Sequence, residues 1–298
     1  MRTLVTGGSG RLGRSVVAEL AARGHEVTSV DVAPGAAAPG VTPRTADLLD
    51  EAAREEVFAE ARPEAVIHLA GIAVPFGRPD TEILSINTRL AWAVLSAAVA
   101  HGARSAVAAS SPTVFGYGPE DWSPRYLPLD EEHPVAPWHS YGLSKVVIEE
   151  TVRTLARAGS GGCTLACVRP GYVLAPEEWA GARTQQGHTV AERLADPGLA
   201  AGSLFNYVDA RDAAELFALI AEHPDRVANG QVLHAIAEDA LAERPLAELL
   251  PRYHPGTAGS APALTGTRPA FSSGAAERAL GWRPTRNWRA ELGRTDAP

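Results

Sequence analysis

Short apolar runs alternate with longer amphipathic segments from the first residues of this chain. The run at 2–6 is followed by apolar residues at helical spacing over 10–23, and strand-like and helix-like patterns then alternate to residue 170. Strands joined by helices pair in parallel and bury both faces of their sheet. The alternation therefore predicts an α/β fold, in which helices cover both faces of a doubly wound parallel sheet.

Apolar periodicity also predicts the bounds of the individual elements. The expected strands lie at 2–6, 27–31, 44–46, 65–70, 105–111 and 163–170, and the expected helices at 10–23, 51–61, 81–101, 141–158, 190–195, 210–222 and 245–250. Long loops become frequent after residue 171. We expect residues 1–171 to form the main domain and residues 172–298 to form mostly a small C-terminal substrate-binding lobe, with a segment at about 204–236 returning to the main sheet.

Composition excludes several classes of protein. The net charge is −8 without a long basic run, so we expect no nucleic-acid partner. Cys163 and Cys167 lie roughly 13 Å apart on a strand, which is too far for a disulfide, and nine scattered histidines predict no metal site. The chain opens directly on a strand, and no apolar run approaches the ~20 residues that span a bilayer. We expect a cytoplasmic protein with no membrane partner.

The first strand leads into the glycine-rich turn TGGSGRLG at 6–13. Its spacing, with Gly7, Gly10 and Gly13, allows the backbone to approach a pyrophosphate at the N-terminus of the following helix. Asp31 ends the second strand, where a carboxylate suits the ribose hydroxyls of a dinucleotide. The context predicts a Rossmann-type nucleotide site. Asp31 favours NAD, although Arg11 and Arg14 leave NADP possible.

Two further groups belong to this expected cofactor site. Arg11 and Leu12 complete the turn, and Asp47 with Leu48 follows the short third strand near the expected adenine edge. An alternative for Asp47 is that it caps the helix at 51–61.

A second motif, Tyr141-Gly-Leu-Ser-Lys145, begins the helix at 141–158. Residues four apart share one helix face, and an ammonium beside a phenol lowers its pKa, which suits Tyr141 to acid–base catalysis. Ser111 ends the strand before it, at the sheet edge where ligands bind. A surface Tyr–Lys pair and a serine in a turn are the alternatives for the two motifs taken singly. Together they predict a catalytic set of Ser111, Tyr141 and Lys145.

The combination resembles the extended short-chain dehydrogenases/reductases of the NAD-dependent epimerase/dehydratase type. The resemblance rests on TGGSGRLG at 6–13, Asp31, HLAG at 68–71, Asn87, SSPTVFG at 110–116, YGLSK at 141–145, RPGYV at 169–173, NYVDARDAAE at 206–215 and LGWRP at 280–284. It implies that Ser111 orients the substrate oxygen, that Tyr141 is the acid/base, and that Lys145 also binds the nicotinamide ribose. It further implies cofactor contacts from Ala70, Gly71, Asn87 and Pro170.

The resemblance implies hydride transfer at an alcohol or carbonyl carbon of a sugar or sugar nucleotide, and it leaves the reaction open. Dehydratases of this type have Thr-Asp-Glu where this chain has Ser111-Pro-Thr113. The acid pair that performs elimination is therefore absent, and dehydration is disfavoured. The serine-rich form is similar to 4-epimerases such as UDP-galactose epimerase, but Tyr172 stands where those proteins commonly have asparagine. The short chain is also similar to uronate dehydrogenases, in which Arg183 or Arg268 would pair with a substrate carboxylate; a solvated surface arginine is the alternative for both.

Other functions remain as alternatives to an epimerase or dehydrogenase of sugars. A reductase of a small carbonyl compound would use the same residues, and a non-catalytic NAD(P)-sensing protein would share the scaffold. The sequence has no G-x-S-x-G string of serine hydrolases and no phosphate loop ending in Gly-Lys-Ser/Thr. Residues Thr113, Tyr172 and Arg183 complete the expected substrate contacts. The helices at 81–101 and 141–158 form the dimer interface in many family members, which implies a homodimer.

Overall fold

The computed structural model describes residues 1–294 and contains a seven-stranded sheet in which every pairing is parallel. The strands are β1 (Arg2–Thr6), β2 (Glu26–Asp31), β3 (Val41–Thr45), β4 (Ala65–His68), β5 (Ser105–Ala109), β6 (Thr164–Pro170) and β9 (Gln231–Ala235). Their order is β3-β2-β1-β4-β5-β6-β9. The chain reverses direction across the sheet between β1 and β4, and ligands bind at such a reversal in open α/β sheets.

Helices cover both faces of this sheet. They are α1 (Arg11–Ala22), α2 (Glu51–Ala61), α3 (Asp80–Ala100), α4 (Ser140–Arg157) and α8 (Ala210–Glu222). Alternate strand residues such as Val5 and Leu4 enter opposite cores: α1 and α8 pack on one face, and α2, α3 and α4 pack on the other. The predicted doubly wound α/β fold is confirmed, and the expected bounds differ from the observed ones by only a few residues.

The chain after residue 171 alternates between the sheet and a separate cluster of small elements. These elements are β7 (Val173–Leu174), α5 (Pro176–Trp179), α6 (Val190–Ala195), α7 (Gly198–Ala201), β8 (Val208–Asp209), α9 (Leu246–Tyr253), α10 (Gly274–Leu280) and α11 (Trp288–Glu291). β7 pairs with β8 in a small parallel sheet. Segment 210–235 supplies α8 and β9 to the main sheet, whereas α6, α7 and α9 pack in apolar clusters of their own.

Helix α3 corrects one expectation from the sequence. It has 21 residues, and its most apolar 18-residue window has a mean hydropathy of 1.5, so by length and composition alone it is long and apolar enough to cross a membrane. The sequence alone predicts no such run. In the structure Leu90, Val94 and Leu95 are buried against the sheet, and α3 packs along α4. The core helix of a soluble α/β protein has the same composition, because one face packs on the sheet.

Candidate active site

One large cavity of about 820 Å³ opens at the carboxyl edge of the main sheet. Its walls come from the glycine-rich turn, the loops after β2, β4 and β5, the first turns of α4, and the chain after β6. The predicted residues that line it are Gly7, Gly10, Arg11, Leu12, Gly13, Asp31, Asp47, Leu48, Ala70, Gly71, Ser111, Thr113, Tyr141, Lys145, Pro170 and Tyr172. The fold thus gathers segments that are up to 199 residues apart in sequence, from Gly7 to Asn206.

The glycine-rich turn is closed by backbone packing that excludes larger side chains. Gly7 has a φ of +74°, and a Cβ on Gly7 would lie 2.6 Å from the Ala70 nitrogen. A Cβ on Gly13 would lie only 2.0 Å from the Gly7 carbonyl oxygen. No side chain caps the N-terminus of α1, so its first N–H groups are available to an anion, and its dipole favours one. The turn therefore has the geometry of a pyrophosphate site.

Asp31 is fixed at the cavity wall by the backbone. Its carboxylate accepts hydrogen bonds from the N–H of Ser9 at 3.0 Å and from the N–H of Ala33 at 3.2 Å. The first bond ties the end of β2 to the glycine-rich turn. A carboxylate held here can accept hydrogen bonds from ribose hydroxyls and repels a 2′-phosphate.

The two arginines that left NADP possible are both paired with carboxylates of α5. Arg11 donates to Glu178, and Arg14 donates to Glu177. Glu178 is buried, and it also accepts from the N–H of Ala175 at 2.7 Å. An arginine held by a carboxylate has less capacity left for a phosphate, so these pairs reinforce the preference of Asp31 for NAD.

Asp47 does not cap α2. The cap is Asp50, whose carboxylate accepts from the N–H of Ala53, whereas Asp47 accepts from the N–H of Leu49 and faces the cavity with Leu48. The capping alternative for Asp47 is therefore wrong.

Asn87 is not a wall of the cavity, contrary to the expectation from the resemblance. Its amide is buried and fully engaged: it accepts from the N–H of Ile72 at 2.8 Å and donates to the Ile72 carbonyl and to the Ser144 hydroxyl, each at 3.1 Å. A Cβ on Gly71 would lie 2.9 Å from the Asn87 oxygen. Asn87 therefore shapes the turn at Gly71 and Ile72 and contacts the cofactor site only through that turn.

Ser111 follows β5 and begins a short 3-10 turn at Pro112–Phe115. Its hydroxyl oxygen accepts from the Thr113 N–H at 3.3 Å and from the Thr113 hydroxyl at 3.0 Å. Because the oxygen accepts both of these bonds, the Ser111 hydroxyl keeps its proton for donation, towards Tyr141 or towards a substrate oxygen. Thr113 thus orients Ser111 and also faces the cavity.

Tyr141 and Lys145 lie on one face of the first turns of α4, with the Lys145 Nζ 5.5 Å from the centre of the Tyr141 ring. The ammonium donates to the Ala109 carbonyl at 2.9 Å. Burial raises the pKa of Tyr141 to about 12, against a lowering contribution from Ser111, and burial lowers the pKa of Lys145 to about 8. Desolvation is the largest contribution to the pKa of Tyr141, so burial works against the lowering that an adjacent ammonium is expected to give.

A buried ion pair supports the end of β5. Glu149 of α4 accepts from Arg169 of β6 through both oxygens, at 2.7 and 2.8 Å, and from the Ser110 hydroxyl at 2.6 Å. Glu149 and Arg169 are almost fully buried. The pair joins α4, β5 and β6 directly beneath Ser111, and thereby fixes the distance between the strand end and the helix that carries Tyr141.

The far end of the cavity belongs to the chain after β6. Tyr172 lines it, but Arg183 is exposed and donates to the Gly187 carbonyl, and Arg268 is exposed as well; neither lines the cavity. Gln186, Ser203 and Asn206 also line the cavity, although the sequence did not single them out as site residues. Asn206 lies in the NYVDARDAAE motif, which gave a signal, whereas Gln186 and Ser203 lie in loops without one.

These residues fit a nicotinamide dinucleotide. The cradle at Gly7 and Gly13 admits no side chain, the N-terminus of α1 is uncapped, and Asp31 lies where the ribose hydroxyls would meet it. Lys145 and Tyr141 line the same cavity as this cradle.

Comparison with known proteins agrees with this geometry. The model of the NAD-dependent epimerase/dehydratase family matches residues 3–235. UDP-glucose 4-epimerase of Bos taurus is 33% identical over 177 residues, which are 53% of this chain and 49% of that protein. The chain spans about half the length of the curated relatives it matches.

Two solved structures share the fold over nearly the whole chain. A short-chain dehydrogenase/reductase superfamily protein from Agrobacterium tumefaciens, with bound NAD, has a TM-score of 0.73 at 24% identity and covers 98% of this chain and 94% of its own. A mutated uronate dehydrogenase has a TM-score of 0.66 at 23% identity and covers 100% of this chain and 88% of its own.

Proposed function

The chain belongs to the NAD-dependent epimerase/dehydratase family of extended short-chain dehydrogenases/reductases, and we propose that it oxidises and reduces an alcohol or carbonyl carbon of a sugar or sugar nucleotide. The expectation of an NAD-dependent protein of this type is confirmed by the family. NAD supplies the acceptor and donor of hydride when bound. The residues of the chain bind the cofactor and the substrate, orient them, and transfer the proton.

One observation carries the proposal. The cradle for a dinucleotide and the three polar groups of Ser111, Tyr141 and Lys145 lie along the walls of the same cavity. A cofactor-sensing protein needs only the cradle. A hydroxyl donor, a phenol and an ammonium beside it are what an alcohol oxidation requires.

In the proposed reaction Ser111 donates a hydrogen bond to the substrate oxygen, which is made possible by the two bonds that Thr113 gives to the Ser111 oxygen. In its phenolate form Tyr141 accepts the hydroxyl proton as the alcohol becomes a carbonyl, and as the phenol it donates that proton in the reverse direction. Lys145, held by the Ala109 carbonyl, stabilises the negative charge of that phenolate against the effect of burial.

We infer that residues 172–298 supply most of the substrate contacts, since Tyr172, Gln186, Ser203 and Asn206 all line the cavity beyond Tyr141. The candidate substrates are a sugar nucleotide, turned over by a 4-epimerase, and a free sugar acid, oxidised by a dehydrogenase. The match to UDP-glucose 4-epimerase supports the first, and Tyr172 in place of asparagine supports the second. A reductase of a small carbonyl compound uses the same residues.

We also propose a homodimer through α3 and α4. Trp92 on α3 and Leu143 on α4 are exposed, 51% and 42%, on the sides of these helices that face away from the sheet. Light scattering of the purified protein measures its oligomeric state, and the Trp92→Glu variant is expected to be monomeric.

The first experiment determines the nicotinamide content of the purified protein by denaturation and chromatography. Near-stoichiometric NAD supports an epimerase, which keeps its cofactor between turnovers, whereas reversible weak binding supports a dehydrogenase or reductase. Activity is then followed as UDP-galactose conversion and as NADH formation from D-glucuronate.

Tyr141→Phe is the mechanistic test. It is expected to lower turnover by about 10²–10⁴-fold, because the proton acceptor is lost, while NAD affinity stays close to that of the wild type. Tyr126→Phe is the matched control, since Tyr126 is exposed and bonded to Asp130. Full activity of Tyr141→Phe would refute the proposed role of Tyr141.

A further inference from the structure

Two side chains at the far end of the cavity each have a buried polar atom without a hydrogen-bond partner: Tyr172 lines the cavity, and Arg193 lies behind it. Among residues 1–294 only four buried side-chain nitrogen or oxygen atoms have no partner, and two of them are the Tyr172 hydroxyl and the Nε of Arg193. The Arg193 guanidinium stacks on the Tyr172 ring at 4.2 Å. The two side chains with unsatisfied polar atoms are therefore in contact with each other, and one ligand could satisfy both.

Arg193 carries a buried charge that makes no salt bridge with any described residue. Its side chain is fully buried on α6, and its remaining bonds go to neutral oxygens, the Gln186 side chain at 2.5 Å and the Ser203 hydroxyl at 3.5 Å. In the described part of the chain no carboxylate oxygen lies within 4.0 Å of it. Burial lowers the pKa of Arg193 below its ordinary value.

Arg169 is a buried arginine with a structural role, and it has a carboxylate partner that Arg193 lacks. It is equally buried, but it meets both oxygens of Glu149. A buried cation without such a partner costs several kcal/mol. Glu178, the carboxylate whose charge reaches Arg193, is already held by Arg11 and by the Ala175 N–H. Packing alone does not account for a charge at position 193.

The surroundings of Arg193 open into the cavity. Tyr172, Gln186 and Ser203, which are all of its side-chain contacts named above, line the cavity beyond Tyr141. Gln186 is exposed in the loop before α6, so its side chain can leave. An incoming oxygen can then take the place of the Gln186 oxygen on the guanidinium without movement of α6, whose N-terminus is fixed by Thr189 and Glu192.

We propose that Arg193, together with the Tyr172 hydroxyl, binds an oxyanion of the substrate, either a sugar carboxylate or the phosphate of a sugar nucleotide. This rests on the proposed function for the cavity and narrows it to anionic substrates. The guanidinium offers paired donors that fit either group. Gln186 holds those donors with a neutral oxygen until the anion replaces it.

The test measures binding by isothermal titration of the full chain in saturating NAD. The probes are D-glucuronate, UDP-glucose and the neutral sugar D-glucose. One of the two anionic probes is expected to bind the wild type, and Arg193→Met is expected to weaken it by about 30-fold or more. D-Glucose is expected to bind equally weakly to both proteins. Binding of D-glucuronate identifies a carboxylate site, and binding of UDP-glucose alone identifies a phosphate site.

Two variants keep the result interpretable. Tyr172→Phe removes the second donor with little change in shape and is expected to weaken the same probe by about two- to tenfold. Arg244→Met, at an exposed arginine paired with Glu248, is expected to bind like the wild type.

The proposal is overturned if neither anionic probe binds the wild type, or if Arg193→Met and Tyr172→Phe both bind the anion as the wild type does. The proposal is also contradicted if Arg193→Met weakens the binding of D-glucose and of the anionic probe by the same factor. Because binding needs no turnover, Arg193-dependent binding without any Tyr141-dependent activity refutes the proposed function and leaves the anion site standing.

Discussion

The two ends of the cavity are built differently. At the cofactor end the polar groups already have protein partners: Asp31 accepts from two backbone N–H groups, Arg11 and Arg14 are paired with carboxylates, and Asn87 makes three hydrogen bonds. At the substrate end the Tyr172 hydroxyl and the Arg193 Nε have none.

The difference lies in what recognises the ligand. The cofactor end presents backbone N–H groups and one carboxylate on a rigid sheet edge, so its shape is complete without the ligand. The substrate end presents side chains from loops and a six-residue helix, and two of its buried polar atoms have no hydrogen-bond partner. Unsatisfied buried groups destabilise a fold, and they are retained where a ligand satisfies them.

The largest expected effect compares the two buried arginines. Arg169→Met leaves Glu149 buried with only Arg153 nearby, at 3.3 Å, and is expected to lower the free energy of unfolding by about 3–5 kcal/mol. Arg193→Met removes an uncompensated charge and is expected to leave stability within about 1 kcal/mol of the wild type, or to raise it. Urea unfolding measures both.

The control for this comparison is Arg157→Met, at an exposed arginine of α4 paired with Glu150, which is expected to change stability by less than about 1 kcal/mol. If Arg169→Met and Arg193→Met lower the free energy of unfolding equally, Arg193 is a structural arginine. The two ends of the cavity would then not differ in the way described above.

A smaller effect concerns the charge of Lys145. Below pH 8 the folded and unfolded chains both hold the proton, so the burial penalty acts in full; from pH 8 to 10.5 the folded chain loses its proton first and the penalty shrinks. The wild type should therefore gain about 3 kcal/mol relative to Lys145→Met between these pH values. Lys145 is the only lysine in the sequence. A lysine-labelled sample thus gives one side-chain NMR signal, expected to titrate near pH 8.

A signal that titrates near 10.5 instead would mean that Lys145 is better hydrated than its position implies. In that case the stability difference between wild type and Lys145→Met would not change over this range of pH.

The smallest expected effect tests how complete the cofactor end is. Asp31→Ala removes the carboxylate that repels a 2′-phosphate and is expected to raise the ratio of NADP to NAD affinity by about tenfold. Adding Glu178→Gln weakens the hold on Arg11 and is expected to raise the ratio further. Fluorescence titration with NADH and NADPH measures both affinities. An unchanged ratio in the double variant would show that cofactor choice is made elsewhere.

The residues of the cofactor end could be predicted from the sequence more completely than those of the substrate end. The glycine-rich turn, Asp31, Ser111, Tyr141 and Lys145 were found because their spacing and their places at element ends are properties of the local chain. Asn87 was assigned to the wrong task, since its hydrogen bonds run to Ile72 and to Ser144 of another helix. The sequence pointed to Arg183 and Arg268 and not to Arg193, because the region has no strong periodicity that would show which arginine is buried.

The sequence by itself determined the parallel α/β fold, the nicotinamide cradle and the identity of the three polar groups beside it, since periodicity and fixed spacing encode contacts between near neighbours. The tertiary structure alone decided that Arg11 and Arg14 pair with Glu178 and Glu177, that burial raises the pKa of Tyr141, and that Arg193 forms no salt bridge within residues 1–294. Each of these depends on which distant side chains share a buried space, and on how much water that space excludes.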